Sequence, residues 1–326
     1  MKAIWYDRQG PAAEVLTYGE LPTPTPGPGE VLVRLAASGA NPSDWKSRSG
    51  KGRPMAFPRV IPHSDGAGQV EAVGEGVPRQ RVGQRVWIWN GQWKRPFGTA
   101  AEYIALPSEQ AVPLPENLGY AEGACLGIPA LTALHAVLTD GGVTGQRVLV
   151  TGGAGAVGHY AIQFARLLGA AQVIATVSGE AKAAHALGAG ADFTVNYRIE
   201  DTVERVTALT GGQGVDRVVD VDLSGTAPLL PGLLAPGGIC AAYGANSGSS
   251  TINFGAAIMK GIAVRHFIVY ELSATQRATA IGALTPWLER GMLTHTIAAH
   301  APLADCAAAH DAVERGAYIG NLVLDV

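Results

Sequence analysis

The stretch "VLVTGGAGAVGHYAIQFARLLGA", Val148–Ala170, passes from a β-branched apolar run through a glycine cluster into a helical pattern. Gly153, Gly155 and Gly158 satisfy GxGxxG, a motif that carries weight only between a strand and a helix. Here "RVLVT" reads as a buried parallel strand, and Ala161, Phe164, Ala165 and Leu168 share one helical face. In such a unit Gly153 serves the tight turn, Gly155 removes the side chain that would hold a pyrophosphate away, and Gly158 lets the helix approach the strand. The amides of Ala156 and Val157 are expected to face the phosphates, aided by the positive end of the helix. Dinucleotide binding is the expectation; the plainer alternative is a structural glycine-rich turn.

Working outward, strand patterns at Arg147–Thr151, Gln172–Val177, Asp192–Asn196, Arg217–Val221 and Ile239–Tyr243 alternate with helical ones at His159–Leu168, Glu180–Leu187 and Asp201–Thr210. That alternation predicts an α/β fold with a doubly wound parallel sheet. Before Tyr120 the texture differs. Short alternating runs such as "EVLVRLAAS" and "GAGQVEAVG" amid dense Gly and Pro predict a β-rich domain. The expected division is a dinucleotide-binding domain over 122–263 and a second domain from 1–121 with 264–326.

Composition narrows the function. The chain has 326 residues, 47% apolar and 16% charged, with a net charge of −3. No apolar run is long enough for a membrane helix, and basic residues are scattered, so neither nucleic acid nor an anionic membrane is the expected partner. A small-molecule substrate is expected instead. The start "MKAIWYDRQG" lacks a signal-peptide core, which points to a cytoplasmic protein. Cys125, Cys240 and Cys306 are widely spaced among apolar neighbours and read as buried thiols.

The second strand tip tells the two nicotinamide dinucleotides apart. An NAD site places an acid there, about 20 residues past the glycines, to hold the ribose 2′-hydroxyl. This chain has Ser178 and Gly179, with Lys182 one helical turn further on. The charge favours a 2′-phosphate and therefore NADPH; Glu180, the counter-signal, sits where a helix first turn favours an acid.

The ordered set "GANPSDWKSRSG", "IPHSDGAGQVEAVGEGV", "VGQRVW", "GTAAEYIALP", "GIPALTALHAV", "AGAVGHYAIQFARLLGA", "VNYRIED", "GGQGVD" and "CAAYGANSG" resembles the medium-chain dehydrogenase/reductase superfamily. More narrowly it is similar to the zinc-free quinone oxidoreductase, zeta-crystallin-like branch. That resemblance implies a GroES-like catalytic domain beside a Rossmann domain, an active site in the cleft between them, and a homodimer. It puts the 2′-phosphate on Ser178, Lys182 and Tyr197 and the nicotinamide carboxamide near Thr132. Leu223, Ser224, Phe267 and Ile268 match positions flanking adenine or nicotinamide, while Gly320-Asn321 stands where relatives often carry Gly-Lys. In the alcohol-dehydrogenase branch a Cys and a His bind zinc; here Asn41 and Ser64 take those positions, with His63 one place off, and no metal is expected.

Without a Lewis acid, conjugated acceptors are the tractable substrates, because they spread the developing charge onto their own carbonyl. Asn41 is the expected donor to that oxygen, its alternative role being a turn residue before Pro42. Asp44 is expected to orient a water or the neighbouring Lys46 and Arg48. Trp45, Lys46 and Tyr270 are expected at the substrate cleft. The leading expectation is an NADPH-dependent, zinc-independent reductase of quinones or other α,β-unsaturated carbonyl compounds. An enoyl-thioester or haloacrylate-type reductase is a second, suggested by Lys46 and Arg48. A non-catalytic nucleotide-binding structural or regulatory protein is the alternative of another class.

Overall fold

Alternation in Glu30–Ala40 turns Val31, Val33 and Leu35 to one side of a strand, and all three are buried. A computed structural model describes residues 1–326 and divides them into two compact units, Met1–Ile128 with Pro286–Val326, and Pro129–Thr285. In the first unit, Glu30–Ala40 pairs antiparallel with Asp65–Val73, Tyr103–Pro107 and Asn321–Asp325. The sheet runs on through Arg85–Ile88 to Ala111–Pro113 and ends on its other side at Ile297–Pro302. Val31, Val33, Val70, Ile88, Ile104 and Leu106 fill its core.

Helix Cys306–Glu314 buries Cys306, Ala309 and Ala312 against Ala3, Ile61 and Leu324. Helix Pro42–Ser49 leaves directly from the long strand: extended Asn41 is its N-cap, Pro42 opens its first turn, and left-handed Gly50 (φ 83°) ends it.

The second unit carries six parallel strands in the spatial order Phe193–Asn196, Gln172–Val177, Arg147–Val150, Val215–Asp220, Leu234–Ala242, Ala263–His266. In chain order this is 3-2-1-4-5-6, the doubly wound arrangement whose switch point lies between Arg147–Val150 and Val215–Asp220. Each sequence-derived strand is present within a few residues. The boundary expected at 264 requires correction, because Ala263–His266 completes this sheet beside Leu234–Ala242 and the chain returns to the first unit only at Pro286. Buried Arg217 closes the C-terminal end of helix Leu131–Leu138 by donating to the carbonyls of Ala136 and Thr139 at 3.1 and 2.9 Å. No helix is long and apolar enough to cross a membrane.

Candidate active site

The glycine turn is built as a cradle. A Cβ on Gly153 would lie 2.6 Å from Ala175 Cβ, and one on Gly158 would lie 2.3 Å from the Gly152 carbonyl oxygen. Strand, turn and helix are therefore as close as backbone allows. Gly155 is the open one, meeting nothing nearer than 3.3 Å, and it caps the 12-residue helix Ala156–Leu167. The tight turn itself belongs to Gly152, the left-handed residue at φ 64°; Gly153 serves close packing instead. The first-turn amides of Ala156 and Val157 supply the donors an anion needs.

Above the strand ends at the switch point lies a cavity of about 530 Å³, bordered by Thr151, Thr176, Tyr197, Val221, Asp222 and Asn246. Tyr197 is brought beside the second strand tip by its amide, which donates to the Val177 carbonyl at 3.1 Å. Ser178 and Lys182 are partly exposed there, Ser178 directly after that strand and Lys182 on the helix that follows. The tip offers no inward carboxylate, since Glu180 is exposed on the first helical turn. The second strand tip therefore carries one lysine and no inward acid.

On the far side of the cavity Asp222 accepts from Ser224 Oγ and from both nitrogens of Asn246, at 2.8 and 2.7 Å. Burial pushes the Asp222 carboxyl up, but these bonds outweigh it and hold the group below the ordinary range. Ser224 is thereby a partner of Asp222. Leu223, expected beside the nucleotide, is instead 5% exposed within the core cluster of Leu149, Ile174 and Val218, because the short helix Leu223–Thr226 turns it inward. Thr132 is buried in helix Leu131–Leu138. Phe267 packs edge-on to His135, centroids 4.6 Å apart, while Ile268 is exposed. Tyr270, expected at the substrate cleft, is buried in the second unit.

In the first unit the buried side chain of Asn41 donates Nδ2–H to Asp65 Oδ2 at 2.9 Å. The same oxygen accepts Ile128 N–H at 2.9 Å, while Oδ1 has no partner. A Cβ at residue 127 would fall 2.2 Å from that Oδ1, so Gly127 makes room for the carboxyl. Burial drives Asp65 well above the ordinary carboxylate range, and the bonds from Ile128 and Asn41 offset this only in part. The Asn41 backbone N–H donates to Asp44 Oδ2 at 2.7 Å. Asp44 is also pushed up, to about 7, by burial first, against the Asn41 bond and the charge of Arg53.

Asp44 orients neither Lys46 nor Arg48 by a hydrogen bond; its partner is the Asn41 peptide. Arg48 is no entrance cation either. Its guanidinium is 1% exposed and donates to the Gly10 carbonyl at 2.6 Å and to Glu314 at 3.3 Å. Lys46 and Lys51 lie over the half-buried Trp45 ring at 5.9 and 5.1 Å, and Arg53 covers Trp93 at 3.9 Å. At the zinc-ligand positions Asn41 turns an N–H toward Asp65, and Ser64, 2% exposed, offers a neutral hydroxyl. Asn321 donates to the Thr296 carbonyl, which accounts for its side chain without a phosphate. Asp65 as the partner of Asn41 is the residue sequence reasoning missed; the triplet "HSD" gave no signal of where that acid points.

Family models described as "Alcohol dehydrogenase GroES-like domain" and "Zinc-binding dehydrogenase" match residues 27–116 and 156–285. The chain is 32% identical to a 2-haloacrylate reductase of Burkholderia, over 99% of this chain and 98% of that one. It is 33% identical to a quinone oxidoreductase of Pseudomonas aeruginosa, over 95% of each. The chain belongs to the medium-chain dehydrogenase/reductase superfamily, in its quinone oxidoreductase, zeta-crystallin-like branch. A solved quinone oxidoreductase of Escherichia coli, complexed with NADPH, superposes with a TM-score of 0.88 at 29% identity and full coverage of both chains. Membership explains the pairing of a β-rich unit with a doubly wound one.

Proposed function

We propose that this protein is an NADPH-dependent, zinc-independent reductase of quinones and other α,β-unsaturated carbonyl compounds. The observation that carries the reading is the Asn41 amide, one N–H of which is fixed on the buried Asp65 carboxyl; the reading assigns its second N–H to the acceptor oxygen. NADPH supplies the hydride when bound. Gly155 leaves room for its pyrophosphate, the amides of Ala156 and Val157 donate to it, and Ser178, Lys182 and Tyr197 hold the 2′-phosphate.

Asn41 donates to the acceptor oxygen as negative charge grows there during reduction. Asp65 fixes the direction of that donation, and Asp44 fixes the peptide from which Asn41 projects. A neutral donor suffices because conjugation spreads the charge. The test is turnover with NADPH on a quinone, an enone and an enoyl thioester, with and without strong chelator. No turnover on any of them refutes the reading, and so does activity lost to chelator.

Lys46, Lys51 and Arg53 around Trp45 and Trp93 favour a second reading, an acceptor that carries a carboxylate, as does the 2-haloacrylate for which the Burkholderia relative is named. A lower KM for a 2-haloacrylate than for its methyl ester supports it. Homodimerisation is part of the proposal. Ala263–His266 is an edge strand, and Phe254, Ile258 and Met259 stand 76, 61 and 84% exposed just before it, an apolar face suited to a second copy. Light scattering that gives a monomer mass at micromolar concentration refutes that part.

A further inference from the structure

Around Asp65 the first unit carries a set of polar side chains for which the reduction just described has no use. Ser38, His63, Thr99 and His310 are each no more than 1% exposed, yet they form an unbroken line. Thr99 Oγ1 donates to the Asp65 backbone carbonyl at 2.6 Å. Ser38 Oγ lies 2.9 Å from Thr99 Oγ1 and 2.8 Å from His63 Nδ1, and His63 Nε2 lies 2.9 Å from His310 Nε2.

The last acceptor sets the direction of every proton. A carbonyl only accepts, so the Thr99 proton goes to Asp65; Thr99 then accepts from Ser38, and Ser38 from the Nδ1–H of His63. Burial pushes His63 down to about 3, so its ring is neutral at pH 7 and its Nε2 is a bare acceptor. His310, also pushed well down by burial, donates its Nε2–H to that atom. Its Nδ1 is left an unpartnered acceptor, a lesser defect than a buried orphan N–H.

His63 holds φ at 74°, a left-handed conformation that persists only where its surroundings over-determine it. They do so here. Thr99 N–H donates to the His63 carbonyl at 3.0 Å, and Gly98 approaches so closely that a Cβ there would lie 2.1 Å from the same oxygen. Two residues on, Asp65 opens the strand and presents its carboxyl to Asn41.

We propose that His63, Ser38 and Thr99 are positioning residues for Asn41: their directed line fixes the Asp65 peptide, and the Asp65 carboxyl in turn aims the amide. This rests on the role given to Asn41 above. A competing use of the same atoms is a buried metal site, since His63, His310 and Cys306 bring their ligand atoms within 4.8 Å of one another. The direction of the line opposes it, because His310 Nε2 donates its proton to His63 Nε2, and burial pushes the Cys306 thiol up so that it stays protonated.

The test uses the full-length enzyme with saturating NADPH. His63→Gly removes the ring while suiting the left-handed backbone, and Thr99→Val breaks the line at a second point with little change of volume. Both are expected to lower kcat about tenfold, as sub-ångström misplacement of a catalytic group does, with NADPH affinity unchanged. His63→Asn tolerates the backbone, and its Nδ2 replaces His63 Nδ1 as donor to Ser38, so it is expected to restore most of the kcat even though the contact with His310 is lost. Parental kcat in His63→Gly and Thr99→Val overturns the proposal. So does equal impairment of His63→Asn and His63→Gly, or one tightly held metal per chain that either variant releases. If Asn41→Ala is itself fully active, the reading of Asn41 fails; if it is impaired while His63→Gly is not, only this inference fails.

Discussion

Asp44→Asn isolates the proton that the fold keeps at the head of helix Pro42–Ser49. Asp44 is 7% exposed, and burial, opposed by the Asn41 N–H and by Arg53, pushes its carboxyl to about 7. In the unfolded chain an ordinary Asp titrates near 3.9. Between about pH 4 and pH 7 the folded state therefore binds more protons than the unfolded one. Stability falls as pH rises through that window and levels off above it. A displacement of about 3 pH units at roughly 1.4 kcal/mol each makes the whole effect on the order of 4 kcal/mol, of which roughly 2–3 kcal/mol falls between pH 5 and pH 8. Asparagine keeps an oxygen for the Asn41 N–H and cannot ionise. Urea unfolding followed by tryptophan fluorescence at pH 5, 6, 7 and 8 is expected to show the variant gaining on the parent by about 2–3 kcal/mol across that range. Groups common to both chains titrate alike and cancel in the difference. Parallel curves would refute the reasoning, since they would mean that Asp44 is ionised and compensated in the folded chain.

Asn41→Ala is expected to lower turnover toward the modest end of what a lost oxyanion donor costs, about a hundredfold or less, with NADPH affinity nearly unchanged. A destabilised but fully active variant would make Asn41 a turn residue only. Lys182→Ala is expected to weaken NADPH by on the order of 1.5–3 kcal/mol and NADH far less; equal losses in a binding titration place Lys182 away from the 2′-phosphate. Gly158→Ala is expected to cost roughly 1–3 kcal/mol of stability, because its Cβ meets fixed backbone. Gly155→Ala is expected to fold normally and to bind NADPH at least about tenfold more weakly, a difference that thermal melts and titrations on the two variants resolve.

The doubly wound sheet is legible in the sequence because its signals are local. A strand buried on both faces is almost continuously apolar, and the glycine turn that joins Arg147–Val150 to Ala156–Leu167 needs residues only a few positions apart. The cofactor preference is legible for the same reason: the second strand is followed by Ser178-Gly179 with no inward acid, and Lys182 comes one turn later. Membership of the superfamily followed from the order of short motifs, each of them local as well.

What the sequence by itself left undecided is where long-range packing sends a side chain. Arg48 looks like an entrance cation until tertiary structure brings Glu314 to it, 266 residues away. Leu223 looks available for ligand contact until its short helix turns it into the core. Ala263–His266 joins the parallel sheet because its partner strand lies beside it, a fact no neighbour in sequence announces. The candidate site depends on such pairings most of all. Asn41 meets Asp65 across 24 residues, and His63 meets His310 across 247. Sequence supplied the amide, the carboxyls and the imidazoles, but the charge and direction of a buried polar group are set by what surrounds it. Only the tertiary structure makes Asp65 the partner that aims Asn41, because only folding removes water from both.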